Sequence, residues 1–316
     1  MKKIIIGIHG LKNKPAKQIS EKWWKSSILD GLQRYGSEIQ DFQFELVYWA
    51  DLEYENPLDP KITDPDDPLY IENPYVPSSY ISNPEATKDI KKKLFNKIEN
   101  GLDKLFLKNS NIGGIEKIVD TTLKHMFMDL DAYYNGHCKV KKDLVARSAF
   151  RKRLADILKK HRNKQILLIG HSMGSIIAYD TLTQDIPKFK IDTFITIGSP
   201  LGFSLIIKKI LLEQNKEINP EAKADTPDNI ISDWFNFADL DDKITMNYNL
   251  ANDFLFSKRK VKPVDIIINN HYEYKGEKNP HKAYGYMQNE KFAEVIEMFL
   301  KKKTSYFSKF LEKIKR

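Results

Sequence analysis

One cysteine, Cys138, occurs in 316 residues. A lone thiol cannot form an intramolecular disulfide, and the natural inference is a reducing, cytoplasmic compartment. Long apolar runs are also missing. The first one, Ile4-Ile5-Ile6-Gly7-Ile8, is far too short to cross a bilayer or to serve as a secretory h-region, so it reads as a buried first strand. Zinc-ligand spacings, base-stacking aromatic motifs and a basic helix-turn-helix pattern are absent, which sets nucleic acid aside as a partner. That holds despite a net charge of +8 from 51 Lys+Arg against 43 Asp+Glu, an excess that fits a mild attraction to anionic surfaces or simply a solvated exterior. The acidic cluster Asp64, Asp66, Asp67 lacks the glycine and terminal glutamate of a calcium loop and reads as surface charge. There is no internal repeat, and no metal or organic cofactor is expected.

What remains is an ordinary globular composition, 41% hydrophobic and 11% aromatic, arranged as alternating β-rich and amphipathic stretches. Strands are expected at 3–9, 42–49, 165–169, 193–197, 231–237 and 264–269. Helices are expected at 16–35, 145–161, 173–183, 201–213 and 290–302. Apolar runs with few polar interruptions suit strands covered on both faces, hence a mostly parallel sheet of about six strands with helices on both sides.

About one hundred residues separate the second strand from the third, far more than a crossover needs. The expectation is a single domain over 1–316 with an inserted region at 51–144. The first part of the insertion, to 84, is acidic and proline-rich and cannot be regular helix or central strand. The second part, 85–131, has apolar residues at helical spacing (Leu94, Ile98, Leu102, Leu105; Ile115, Ile118, Val119, Leu123) and reads as two helices. Such a region caps the C-terminal edge of the sheet or packs peripherally with no substrate contact. The tail, 303–316, sets Phe307, Phe310, Leu311 and Ile314 on one helical face among lysines, which suits either peripheral membrane contact or a helix docked on its own domain.

The chemistry concentrates in Gly170-His171-Ser172-Met173-Gly174, between an apolar strand and a helical pattern. A strand turning sharply into a helix forces the central residue into a strained conformation and demands small neighbours, leaving Ser172 exposed at a helix N-terminus. The backbone amide of Met173 then faces a developing oxyanion, and Leu11, after the His9-Gly10 pair that ends the first strand, is the second expected donor. His9 itself reads as a residue that orders its loop. A nucleophilic serine needs a base and an acid to orient it, and in the α/β-hydrolases that this motif resembles they follow in the order serine, acid, histidine. The turn Asp239-Leu240-Asp241-Asp242 offers Asp242 as the acid, with Asp239 as a rival nearer the strand end and Asp241 solvated. His281, in a loop before the final helix, is the expected base, with His271 as the rival.

Together these residues resemble the α/β-hydrolase superfamily, in particular its esterase and lipase-like branch, where G-H-S-M-G is followed by I-T-I-G-S-P, here Thr196-Ile197-Gly198-Ser199-Pro200 preceded by Ile195. The resemblance runs over 1–49 and 145–300. It implies a shortened α/β-hydrolase fold without the two leading antiparallel strands and a Ser172-Asp242-His281 triad. The substrate it implies is a small-molecule or lipid-like acyl ester, with thioester, amide or non-catalytic binding as the alternatives. Lys243 stands where relatives often carry proline.

Overall fold

A computed structural model of the chain describes residues 2–77, 130–245 and 248–301. The two helices expected within 85–131 and the tail at 303–316 lie outside the described residues. The six expected strands form one sheet: β1 (Lys3–Ile8), β2 (Phe44–Val47), β3 (Gln165–His171), β4 (Ile191–Ile197), β5 (Ile230–Asp239) and β6 (Pro263–Ile268), in the order β2-β1-β3-β4-β5-β6. Every pairing in it is parallel, with Gly7 opposite both Leu46 and Ile169, Ile195 opposite Ile169 and Phe235, and Phe235 opposite Val264.

The central strands β1, β3 and β4 are buried along nearly their whole length because their runs are mostly apolar, whereas the edge strands β2 and β6 are only partly covered. In β1, Ile4, Ile6 and Ile8 enter one layer while Ile5 enters the other. The first layer holds helices α2 (Ala146–Lys160) and α3 (Met173–Asp180). In α2, Phe150, Leu154 and Leu158 recur one turn apart and face the sheet. The second layer holds α1 (Lys17–Arg34), whose stripe is Trp24, Ile28 and Leu32, together with α6 (Glu290–Lys301), which buries Phe292, Ile296 and Phe299. At about 1.5–3 kcal/mol for each large apolar side chain removed from water, the two layers supply the main drive for folding.

Two helices depart from the expected bounds for local reasons. The helix expected from 173 to 183 keeps α-geometry only to Asp180 and continues as a π-type turn, Thr181–Asp185. There Thr181 and Thr183 turn their hydroxyls onto the Ile177 and Tyr179 carbonyls at 2.7 and 2.9 Å, competing with the helical ladder. The helix expected from 201 begins only at Ser204 (α4, Ser204–Glu213), because Pro200-Leu201-Gly202 forms a turn closed by Phe203 N–H on the Pro200 carbonyl. A short helix α5 (Ala283–Met287) precedes α6.

The chain runs outward from β1 to β2, then returns past β1 to lay down β3, β4, β5 and β6 on the other side. The reversal lies between β1 and β3, and in open α/β sheets the crevice beyond the carboxyl ends at such a point takes ligands. The loops that follow all six strands rise from this edge. The described part of the insertion crosses it: the arm to residue 77 reaches the far edge, where Tyr272 Oη donates to the Pro74 carbonyl and Gln288 Nε2 donates to the Val76 carbonyl at 3.1 Å. Residues 130–135, where the chain returns, are helical. Among the described residues no helix is long and apolar enough to cross a membrane.

Candidate active site

Ser172 sits between β3 and α3 with φ 52° and ψ −129°. That left-handed backbone costs a non-glycine residue on the order of 1–3 kcal/mol and survives only where its surroundings fix it. Here Ser172 N–H donates to the Ile197 carbonyl at 3.0 Å, and its own carbonyl accepts Ser175 N–H at 2.9 Å and Ser175 Oγ at 2.6 Å. The Ser175 hydroxyl also meets Ser199 Oγ at 2.7 Å. Gly174 is required by close approach, since a Cβ there would overlap the Ile8 carbonyl oxygen and lie 2.8 Å from that of His9. Met173 is the first residue of α3, where backbone N–H groups have no partner within the helix.

His9 orders the loop after β1, as expected for a structural residue. Its Nδ1 lies 2.8 Å from the Gly10 carbonyl and its Nε2 3.1 Å from Trp49 N–H, so the ring is an Nδ1–H tautomer that donates to one and accepts from the other. Trp49 stacks on this ring at 4.8 Å and donates its indole N–H to the His9 carbonyl at 3.0 Å. Burial, helped by the charge of Lys14, lowers the His9 pKa to about 3 and keeps it neutral. Leu11 follows and packs against the core. With Met173, Trp49, Phe150, Tyr54 and Tyr133 it lines a pocket on the α2 side of the edge. Tyr54 and Tyr133 belong to the two described ends of the insertion.

The two candidate acids have different partners. Asp242, fully buried at its side chain, accepts Ile244 N–H on Oδ1 at 2.9 Å and faces His281 Nδ1 with Oδ2 at 2.8 Å. Asp239, also buried, takes Asp241 N–H on Oδ1 at 2.7 Å and Asn270 N–H on Oδ2. Its carboxylate thus ties the turn after β5 to the loop after β6. Asp241 is exposed. His271 lies in that same loop, its pKa lowered by partial burial and then by Lys278. It is the His281 ring, part exposed, that the chain brings to Asp242.

Three residues that the sequence reading did not single out hold the Asp242–His281 pair in place. Asn270 donates through Nδ2 to the Pro280 and Lys282 carbonyls at 2.8 and 2.9 Å, bracketing the histidine. His171, inside the serine motif, donates through Nε2 to the His281 carbonyl at 2.9 Å, and the two rings lie 4.9 Å apart. Burial, then the neighbouring His281 ring, lowers the His171 pKa well below its ordinary value. Tyr286 donates to Asp242 Oδ2 at 2.8 Å. Of the three, only His171 carried a visible signal, its place beside the serine. Gly198 closes the arrangement: with φ 54°, it leaves room for the pair, since a Cβ there would stand 3.1 Å from Asp242 Oδ2 and 3.2 Å from the His281 ring. Because Ser172 N–H hooks onto the Ile197 carbonyl, the serine backbone and this pair meet on adjacent residues of β4 and its loop. Among the described residues no three His, Cys, Asp or Glu side chains gather as a metal site would require.

Comparison with known proteins gives one match. The family described as PGAP1-like alpha/beta domain matches residues 136–251, a span that contains Ser172 and Asp242 and ends before His281. No curated protein and no solved structure matches the chain. The family match and the six-stranded parallel sheet flanked by helices fit an α/β-hydrolase-like fold.

Proposed function

We propose that the protein is a serine hydrolase that cleaves a carboxylic ester through an acyl-Ser172 intermediate. The turn at Ser172 is then a nucleophile elbow. His281 Nε2 takes the proton of Ser172 Oγ as the oxygen attacks the carbonyl carbon, and the carbonyl electron pair moves onto oxygen. The Met173 and Leu11 backbone N–H groups receive that oxyanion. His281 then returns the proton to the departing alcohol, and a water activated by the same imidazole releases the acid. Asp242 holds the Nδ1–H tautomer and stabilises the imidazolium. The observation that best supports this reading is the 2.8 Å contact of His281 Nδ1 with buried Asp242 beside Gly198, one residue past the carbonyl that anchors Ser172. No metal or organic cofactor enters the scheme.

The test is a fluorophosphonate probe with p-nitrophenyl esters of increasing chain length. Labelling is expected on Ser172, and Ser172→Ala is expected to lose both labelling and turnover, the latter by several orders of magnitude. An unlabelled Ser172 would favour a non-catalytic binding protein, and preference for thioester or amide substrates would change the class but keep the triad.

On this reading the pocket beside Leu11 and Met173, lined mostly by aliphatic and aromatic side chains with Lys12, Glu53 and Lys139 among them, takes the acyl chain, and the 51–144 insertion is a cap that walls it. Replacing part of 85–131 with a short linker is then expected to shift the preferred chain length while turnover of a short ester survives. An unchanged profile in a folded, active variant would remove the insertion from substrate selection. A lipid-like substrate, a cytoplasmic location and membrane contact through 303–316 belong to the same proposal.

A further inference from the structure

Tyr286 is a buried acid that the scheme above does not use. It sits in α5, five residues beyond His281, so one short stretch of chain supplies both groups that grip Asp242. Its phenol donates to Oδ2 at 2.8 Å, the same oxygen that faces His281 Nδ1 at 2.8 Å, while Oδ1 is taken by Ile244 N–H at 2.9 Å. The acceptor side of the phenol oxygen is also in use, because Asp239 N–H donates to it at 3.2 Å. The orientation is therefore fixed: Asp239 N–H gives to Tyr286, Tyr286 O–H gives to Asp242, and His281 gives to the same carboxylate oxygen from the other side.

Resting on the triad reading, we infer that Tyr286 is a positioning residue that shares Oδ2 with His281 and tempers the hold of Asp242 on the imidazole. A hydrogen bond to a carboxylate stabilises its charge, and two donors on one oxygen divide that charge between them. With the phenol present, Asp242 stabilises the imidazolium less than it would alone. Burial, with Asp242 next in effect, pushes the Tyr286 pKa well above its ordinary value, so it remains a donor throughout. The other titratable or charged groups around the pair are His171 from β3, held neutral by burial, Asp239 from β5, and Lys282 beside His281, whose pKa burial and then Lys12 lower to about 8.

The test compares the full chain with Tyr286→Phe, and with the chain carrying 3-fluorotyrosine at position 286, a stronger donor of nearly the same shape. In Tyr286→Phe the acid limb of the kcat/KM profile is expected to move to higher pH by about half a unit or more, and in the fluorinated protein to lower pH. The His281 ring titration, followed by NMR in a Ser172→Ala background, is expected to move in the same two directions. That second readout needs no turnover, so it judges Tyr286 even if the acyl-enzyme scheme fails, whereas turnover by Ser172→Ala would overturn the scheme alone. A His281 midpoint that stays put in both variants, or falls in Tyr286→Phe, would reduce Tyr286 to packing.

Discussion

The two halves of the candidate site are built by different means. The Ser172 half is assembled from neighbours in sequence and from the backbones of adjacent strands: Ser172 bonds Ser175 and the Ile197 carbonyl, and Gly174 lies against Ile8 and His9. The acid and base half is assembled by side chains across long stretches of chain. Asp242 meets His281 and Tyr286 from 39 and 44 residues away, and Asn270 reaches 10 and 12 residues forward to bracket His281. A strained serine can rely on a rigid strand and helix. A histidine in a loop needs side-chain anchors, and the insertion adds one more, with Asn279 Nδ2 reaching Asn73 Oδ1 at 3.3 Å.

The contrast is broken most sharply at the two acids, three residues apart. Asp242→Asn removes the charge facing His281 and is expected to lower kcat on the order of 10⁴-fold with the fold retained. Asp239→Asn loses a carboxylate that holds backbone N–H groups, so its expected signature is a lower melting temperature with a much smaller rate loss. The reverse ranking of the two rates would transfer the acid role to Asp239.

Asn270→Ala probes the anchors. Leaving the Pro280 and Lys282 carbonyls without their donor is expected to let the His281 loop drift, lowering kcat by about 10- to 100-fold while fluorophosphonate labelling of Ser172 becomes slower but remains detectable. An unaltered kcat would mean that His171 and Asp242 suffice to position the ring.

On the serine side the expected effect is at His9, and it concerns stability with no direct effect on the rate. The folded-state pKa lies at about 3, below the ordinary 6.5, so the unfolded chain binds the proton first. Stability is unaffected above about pH 6.5 and falls as the pH drops from there toward about 3, by roughly 1.4 kcal/mol per unit. His9→Gln does not titrate, so its melting temperature is expected to fall less steeply between pH 7 and 4 than that of the unmodified chain. Parallel slopes would show that other groups govern acid unfolding.

The sequence alone determined the strands, because short runs so rich in apolar residues find cover only between two layers. It also located the sharp turn at Ser172, the nucleophile of the proposed reaction, since Gly-x-Ser-x-Gly between a strand and a helix is a local steric statement that needs no distant partner. The choice between Asp239 and Asp242, and between His271 and His281, was open in sequence: all four are polar residues in loops beyond strand ends, and chain order admits every pairing. Only the tertiary structure decided which acid faces which histidine, because that depends on where the β5 turn and the 279–287 segment come to rest over the sheet edge. Asn270 and Tyr286 were invisible for the same reason. One looks like any loop asparagine and the other like part of an apolar helix, and each gains its role from a carbonyl or carboxylate that folding brings to it.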